Sequence, residues 1–382
     1  MGLEKKRHKI DEIDQRLVRL LEERLEVSLD IGAYKKEHGL PVLDRTREEE
    51  VVEKNLGRIT KQGYRKYIKD LFNMVMSVSR EAQRDIVIDE DTSLSAVLGE
   101  VPIAAPCSHP VVAYGGVRGS FGEEALLRYF GVEVPAVSCR TFDEVVEKVL
   151  EGSADYGVLP LENTTTGGIL EVERLLEQQP VYITGEIVVP VAHCLLGLGE
   201  LGEIKTVYSH PQGFHQSRDW LKDRGYEEIP YFNTAIAAEH VATLGDLTKG
   251  AIASRRAAEV YGLKVLVPDI NYNEDNFTRF IILRNMAELE GNRDKISIQV
   301  ILKDVEGSLF KVVKCISDHK LNMVKIASRP ILGKPFEYIF SIDFNGSLLD
   351  LNVKKALREI REHSLRMNFK GNYLERKGRA DG

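Results

Sequence analysis

LPLENTTTGGIL, residues 159–170, lies between ADYGVLP (154–160) and ILEVERLLEQ (169–178). The first flank reads as a short buried strand and the second as an amphipathic helix. A linker between them needs only a turn, yet this one gathers Glu162, Asn163, three threonines and two glycines. One account is local: Asn and Thr cap helices, and Gly relieves tight turns. The other is that the polar groups face a ligand. At the carboxyl end of a strand, a helix N-terminus offers free N–H groups and a positive dipole end to an anion. The loop alone leaves both open. Either way, strand, polar loop and helix in succession predict an α/β fold.

The same grammar extends on both sides, from Val111 to about Arg284. TFDEVVEKVLEG (141–152), FNTAIAAEHVATLG (232–245) and SRRAAEVYG (254–262) each read as a helix closing on glycine. Thr141 with Glu144 spells a capping box. The extended run VYITGEIVVPVAHCLLG (181–197) is long enough to cross between two lobes and leave a cleft. Gly197, Gly199 and Gly202 spell the dinucleotide fingerprint GxGxxG, but EIKTVYS follows as a strand where the fingerprint requires a helix. A nucleotide site is not expected there.

The flanking segments differ in pattern. From residue 5 to about 84 the chain reads as helical, with Ile10, Ile13, Leu17, Leu20 and Leu21 at three- and four-residue intervals until Gly39 and Pro41 intervene. A helix of about 30 residues is about 45 Å long, more than two short following helices cover, so an intertwined helical dimer is expected. Residues 85–110 lose this periodicity and read as a linker. From Lys295 the order strand–helix–strand–strand–helix–strand predicts a small α+β sandwich. The expected boundaries are an all-α domain over 1–88, a linker over 89–109, a bilobal α/β domain over 110–286 and an α+β βαββαβ domain over 295–376.

With 382 residues, 43% hydrophobic and 29% charged, the composition is that of a soluble globular protein of two or three domains. The start, MGLEKKRHKIDEID, lacks the apolar core of a secretory signal, and IVVPVAHCLLGLG is too short to span a bilayer. A cytoplasmic protein without membrane contact is expected. The four cysteines have neither disulfide-scaffold nor zinc spacing, and no HExxH occurs, so no metal and no cofactor are expected. Residues 1–84 carry 19 Lys+Arg against 16 Asp+Glu, and the remainder 33 against 43. So small a basic surplus is no nucleic-acid surface, but it suits a small anionic ligand.

On the first helix Arg24 and Lys35 fall within about 20° of one face and some 16 Å apart, a spacing able to clamp a dianion. Arg7 lies about 25 Å before Arg24 and can join such a site only from a second chain. Ser79 and Gln83 are one turn apart on one face. Spacing alone favours the plainer reading, solvated surface charge.

Residues 7–83 resemble the all-helical chorismate mutase family position by position: Arg7, Arg24, Lys35, Asp44, Arg47, Glu48, Ser79 and Gln83 match its substrate-contacting pattern, with RTRE and SREAQ in register. YGGVRGSFGEEA (114–125), GVLPLENTTTGG (157–168), YSHPQGFHQ (208–216) and NFTRF (276–280) resemble, in order, the motifs of prephenate dehydratase. EGSLF (306–310) and KIASRP (325–330) stand where the ACT regulatory domain of these enzymes has its phenylalanine-binding motifs. Ala327 replaces the usual Glu, Phe336 the usual Trp, and Val117 a common Pro. Together the match spans nearly the whole chain and is that of the bifunctional chorismate mutase–prephenate dehydratases.

The resemblance implies conversion of chorismate to prephenate and of prephenate to phenylpyruvate, in phenylalanine biosynthesis and under phenylalanine feedback. It implies a periplasmic-binding-protein-like bilobal fold for the dehydratase. Arg7, Arg24, Lys35, Asp44, Glu48, Ser79 and Gln83 would bind chorismate, with Lys35, Gln83 and Glu48 catalytic. Asn163, Thr164, Thr165, Ser209, Gln216 and Thr278 would bind prephenate, with Thr278 essential and the threonines at a helix N-terminus. Gly307, Ser308, Leu309, Ser328, Arg329 and Pro330 would hold phenylalanine between two such domains of a homodimer or higher homo-oligomer. Ala327 implies weaker feedback. Two rival readings stand beside this one: a bilobal amino-acid sensor without turnover, disfavoured by the absent signal and the mutase positions, and a mutase fused to a dehydrogenase, which needs a true dinucleotide fold.

Overall fold

The computed structural model describes residues 2–87, 93–273, 275–289, 291–331 and 337–376. Phe336 and residues 89–92 of the expected linker lie outside the described residues. The chain divides into two units, residues 1–96 and 97–382.

The first unit is helical. α1 (Leu3–Glu37) runs unbroken because no Gly or Pro interrupts its apolar repeat until Gly32, which is itself accommodated. α2 (Arg45–Leu56) starts on Asp44, whose carboxylate accepts from the Arg47 N–H. α3 (Arg65–Val87) follows a single 3₁₀ turn and packs along α1. Ile10, Ile13, Leu17, Val18 and Leu20 of α1 remain between 43 and 61% exposed. The residues of α1 that are buried are Ser28 and Gly32, so among the described residues of the helical unit its apolar stripe stays exposed.

Within the segment expected as linker a short helix forms, α4 (Leu94–Leu98), with Val97 and Leu98 buried. Further on, Ile103 bridges Ala287. Part of residues 93–109 thus takes regular structure, which a five-residue helix gives little periodicity to announce.

The second unit holds three sheets. β1 (Val112–Gly115), α5 (Phe121–Phe130), β2 (Ala136–Cys139), α6 (Phe142–Glu151), β3 (Tyr156–Asn163), β4 (Gly167–Gly168), α7 (Leu170–Gln178) and β5 (Tyr182–Pro190) build the first lobe. β6 (Cys194–Gly197), β7 (Thr206–Ser209), α8 (Pro211–Gln216), α9 (Arg218–Leu221), β8 (Glu227–Pro230), α10 (Thr234–Leu244), β9 (Lys249–Ala253), α11 (Arg255–Tyr261) and β10 (Lys264–Val267) build the second. The chain then returns as β11 (Phe277–Arg284), inserted between β3 and β5, to give the order β2-β1-β3-β11-β5 with β4 beside β3. The second sheet is ordered β10-β6-β9-β7-β8. β5 and β6 lie in different sheets, as a crossing run requires. GLGELG leads through a 3₁₀ turn into β7, so no dinucleotide fold forms.

Along β11 the side chains alternate: Ile281 and Leu283 join the core under α6 and α7, while Phe280 and Ile282 join the core with Leu126 of α5. That two-faced burial makes β11 a central strand and fixes its register.

The third sheet is antiparallel: β12 (Lys295–Ile301), α12 (Ser308–Asp318), β13 (Met323–Pro330), β14 (Tyr338–Asn345), α13 (Leu351–His363) and β15 (Arg366–Tyr373), ordered β13-β14-β12-β15. It docks on the first lobe through β15 and β5, closely enough that a Cβ on Gly371 would stand 2.1 Å from the Ile183 carbonyl. Tyr373 is fully buried in the first lobe's core. Among the described residues no helix is long and apolar enough to cross a membrane.

Candidate active sites

In the helical unit α1 and α3 approach at Gly32, where an added Cβ would lie 3.2 Å from the Gln83 Cα. A polar seam runs beside that contact. Gln83 Nε2 donates to Ser28 Oγ at 2.9 Å, and Lys35 Nζ donates to Gln83 Oε1 at 3.4 Å and to the Val42 carbonyl at 2.7 Å. Arg24 donates from Nη1 to Ser79 Oγ and from Nη2 to Met76 Sδ at 3.1 Å. Burial lowers the Arg24 guanidinium pKa. Arg24, Lys35, Ser79 and Gln83 thus form one row of cations and neutral donors without a nucleophile. Glu48 is held by Arg80 in a largely buried ion pair.

Other expected residues lie apart. Asp44 spends its carboxylate on capping α2, and Arg47 pairs with Glu50 at 3.1 Å on the surface. Arg7 pairs with Glu4 at 2.9 Å, exposed. Because α1 is continuous, Arg7 cannot reach Arg24 of its own chain.

In the first lobe, Thr278 of β11 sits opposite Asn163 at the end of β3. Asn163 Nδ2 donates to Thr278 Oγ1 at 2.9 Å, to Asn276 Oδ1 at 2.8 Å and to the Phe277 carbonyl at 3.0 Å. Its Oδ1 accepts from the N–H groups of Thr165 and Thr166 at 2.9 and 3.1 Å. The Asn163 amide therefore closes a turn with one end and aims Thr278 with the other. Since the Thr278 oxygen accepts, its own proton is left to donate.

The threonines are not at a helix N-terminus. They turn β3 into the two-residue β4, and α7 begins beyond them behind Ile169, which makes no side-chain cap. Gly167 and Gly168 pair with Asn163 and Glu162, a hairpin too short to show a two-residue period. Thr164 is spent within it: its hydroxyl donates to the Asp275 carbonyl and accepts from the Phe277 N–H, each at 2.9 Å.

In the second lobe Ser209 Oγ donates to the Ile252 carbonyl at 2.9 Å and is fully buried. Gln216 Oε1 lies 2.8 Å from Nε2 of His193, on the crossing between lobes. There the Val191 carbonyl accepts from Asn271 and Asn276 of the returning chain. Gln216 and Thr278 are thereby joined through His193, the crossing and Asn276.

Burial holds His193 neutral, its pKa lowered to about 4 even though the Gln216 hydrogen bond opposes the shift. As pH falls, the unfolded chain takes up this proton near 6.5 while the folded chain resists until about 4. The stabilisation is thus complete above pH 6.5 and lost on the way down to 4, on the order of 3 kcal/mol in all. Urea unfolding followed across this range should show that fall in the wild type. The difference between wild type and His193→Gln should carry it; parallel curves would refute the assignment.

Residues 112–288 match the prephenate dehydratase family and residues 6–84 the chorismate mutase type II family. The chain is 33% identical, over 97% of its own length and 97% of the other, to a bifunctional chorismate mutase/prephenate dehydratase of Aquifex aeolicus. The chain belongs to the bifunctional chorismate mutase/prephenate dehydratase family. A prephenate dehydratase of Arthrobacter aurescens, solved in complex with L-Phe, is 30% identical with a TM-score of 0.64, over 69% of this chain and 90% of that one. GqqA, described as a novel type of quorum quenching acylase, has the same TM-score at 28% identity, over 69% of this chain and 97% of that one.

In this member of the chorismate mutase/prephenate dehydratase family, residues linked to the candidate dehydratase residues beyond those expected are Asn276, His193, Glu162 and Arg279. Asn276 was legible, since it lies two residues before Thr278 in the same motif. So was Arg279, the residue after Thr278 in that motif, whereas His193 and the pairing of Glu162 depend on contacts far apart in sequence. Arg279 Nη2 pairs with Glu162 Oε1 at 2.6 Å, and Lys325 of β13 pairs with Glu162 Oε2 at 3.1 Å. Burial pushes the Glu162 pKa up, but the Arg279 and Lys325 cations together bring it below the usual carboxylate value.

Gly307, with φ +77°, caps α12, followed by Ser308 and Leu309 in its first turn. Ser328 and Pro330 are exposed on β13, whereas Arg329 points the other way and pairs with Glu177 of α7, also donating to the Glu173 carbonyl at 3.2 Å. Neighbours in a strand face opposite sides, so the Ser328 and Arg329 side chains do not point to the same face of β13.

Proposed function

We propose that the chain converts chorismate to prephenate in residues 1–88 and prephenate to phenylpyruvate in residues 110–286, two steps of phenylalanine biosynthesis. One observation carries this reading. Two residue sets with different chemistry assemble in separate units, a row of cations and neutral donors in one and a hydroxyl aimed by an amide in the other.

The first reaction is a pericyclic shift with no proton transferred, so the protein need only hold a compact conformer and stabilise charge on the breaking ether. Arg24 holds a carboxylate, Lys35 and Gln83 hydrogen-bond the ether oxygen, and Glu48 orients the ring hydroxyl. Arg7 of a second chain completes the site. The uncovered stripe of α1 supports a dimer through these helices, which also covers the apolar surface.

In the second reaction the ring carbon–oxygen bond breaks, the hydroxyl leaves as water after gaining a proton, and the ring carboxylate leaves as CO₂. The electron pair released by decarboxylation completes the aromatic ring. Thr278 hydrogen-bonds the departing hydroxyl and passes a proton to it, being too weak an acid to act as the source. Asn163 aims that hydroxyl. Gln216 closes over the substrate from the other lobe.

Residues 295–376 act as an ACT regulatory domain that binds phenylalanine beside Gly307, Ser308, Leu309, Ser328 and Pro330 of paired domains. The Arthrobacter relative solved with L-Phe supports this ligand. Lys325 and Arg329, on the opposite face of β13, grip Glu162 and Glu177, and Glu162 also grips Arg279 beside Thr278. Effector binding that shifts β13 thereby reaches the β3–β11 pair, and phenylalanine inhibits to the extent that it prefers the shifted state.

Purified chain given chorismate without NAD should yield prephenate and then phenylpyruvate, with phenylalanine slowing the second step. Absence of both products would refute the enzymatic reading. Turnover indifferent to phenylalanine would refute only the regulatory part.

A further inference from the structure

We propose that Cys315, Glu359 and His363, with His319 beside them, form a site for a zinc-type divalent metal ion between α12 and α13. Nothing in the mutase or dehydratase chemistry uses these residues. One ligand atom from each of Cys315, Glu359 and His363 lies within 4.8 Å of the others. His319 Nε2 is 3.2 Å from Glu359 Oε2, and His363 Nε2 is 3.9 Å from Glu359 Oε1.

The arrangement follows from helical spacing. Cys315 and His319 are one turn apart at the end of α12, and Glu359 and His363 one turn apart at the end of α13. Each helix end therefore presents two donors toward its neighbour. Neither pair is a motif alone, and His319 and Glu359 are 40 residues apart, which is why the sequence shows no metal spacing.

The donor set is one sulfur, two imidazoles and one carboxylate. Sulfur and imidazole select zinc or a similar transition metal over magnesium and calcium, and four such donors suit a tetrahedral ion. Bonds of about 2.0–2.3 Å place tetrahedral ligands roughly 3.4 Å apart, so drawing Cys315, Glu359 and His363 in from separations of up to 4.8 Å requires movement of up to about 1.4 Å, with His319 turning in as the fourth donor. Cys315 is 3% exposed, and the His319, Glu359 and His363 side chains are 14, 16 and 14% exposed, a site sheltered but open to entry. On binding, the Cys315 thiol proton goes to solvent and the sulfur bonds the ion. Thiolate and carboxylate together then balance its double charge.

The test uses the reduced, chelator-stripped full chain titrated with cobalt(II). The expected result is one equivalent bound, with a thiolate-to-cobalt charge-transfer band and the intense d–d bands of four-coordination, both erased by one equivalent of zinc. Cys315→Ser should remove the charge-transfer band while Cys107, Cys139 and Cys194 remain, and Glu359→Gln and His363→Asn should each weaken binding at least tenfold. No band in the wild type, or a band surviving in Cys315→Ser, would overturn the proposal. Should Cys315→Ser fail to fold, Glu359→Gln decides, because its side chain is partly exposed: unchanged cobalt affinity there overturns the site.

Discussion

Thr278→Ala is expected to abolish phenylpyruvate formation while prephenate accumulates from chorismate. Asn163 Nδ2 holds the Thr278 oxygen at 2.9 Å, so removal of the hydroxyl takes away both the aimed donor and one of the amide's acceptors. Asn163 keeps Asn276 Oδ1 and the Phe277 carbonyl, and the β3–β11 ladder does not depend on the side chain. The fold should therefore survive. Loss of a donor that acts in the transition state costs roughly a hundredfold or more in rate. Thr278→Ser keeps the hydroxyl and should retain measurable turnover. Single-turnover assays on prephenate decide the matter: an Ala variant as active as the Ser variant would make Thr278 merely structural.

Lys35→Ala is expected to slow chorismate rearrangement by roughly a hundredfold to a thousandfold, the cost of deleting one charge-stabilising donor. Gln83 still donates to Ser28 at 2.9 Å, so the α1–α3 seam stays closed. Dehydration of supplied prephenate should continue at the wild-type rate, because Thr278 and Asn163 lie in the other unit. Loss of both activities in a folded variant would sink the assignment of separate sites.

What the sequence disclosed depended on the range of the interactions. The repeat from Ile10 to Leu21 disclosed α1, and Gly152, Gly245 and Gly262 in left-handed geometry end α6, α10 and α11 as read. The Thr141 cap formed, although Glu144 accepts from the Arg140 N–H and not from that of Thr141. The polar loop after β3 was misplaced by one element, because a two-residue strand of glycines has no side-chain pattern. The pairing of the Arg329 side chain with Glu177 is not legible in the sequence, because alternation says which residues of β13 oppose each other but not which side meets α7. His193 and Glu162 gain their roles from partners on other strands, and local spacing is silent about those.

The placement of β11 has a consequence for the chain as it is made. Asn163 and Thr278 are 115 residues apart, and β5 too waits for β11 to reach its partner register. At roughly 5–20 residues per second, a ribosome needs on the order of ten seconds between delivering the two side chains. During that interval the β2-β1-β3 half of the sheet and β5 face each other across an empty slot, with apolar residues on both sides. The second lobe, which is contiguous from β6 to β10, is complete before the first. The Asn163–Thr278 contact is made when the slot fills, so a nascent chain brings these two side chains together only as it finishes closing the lobe that was begun first.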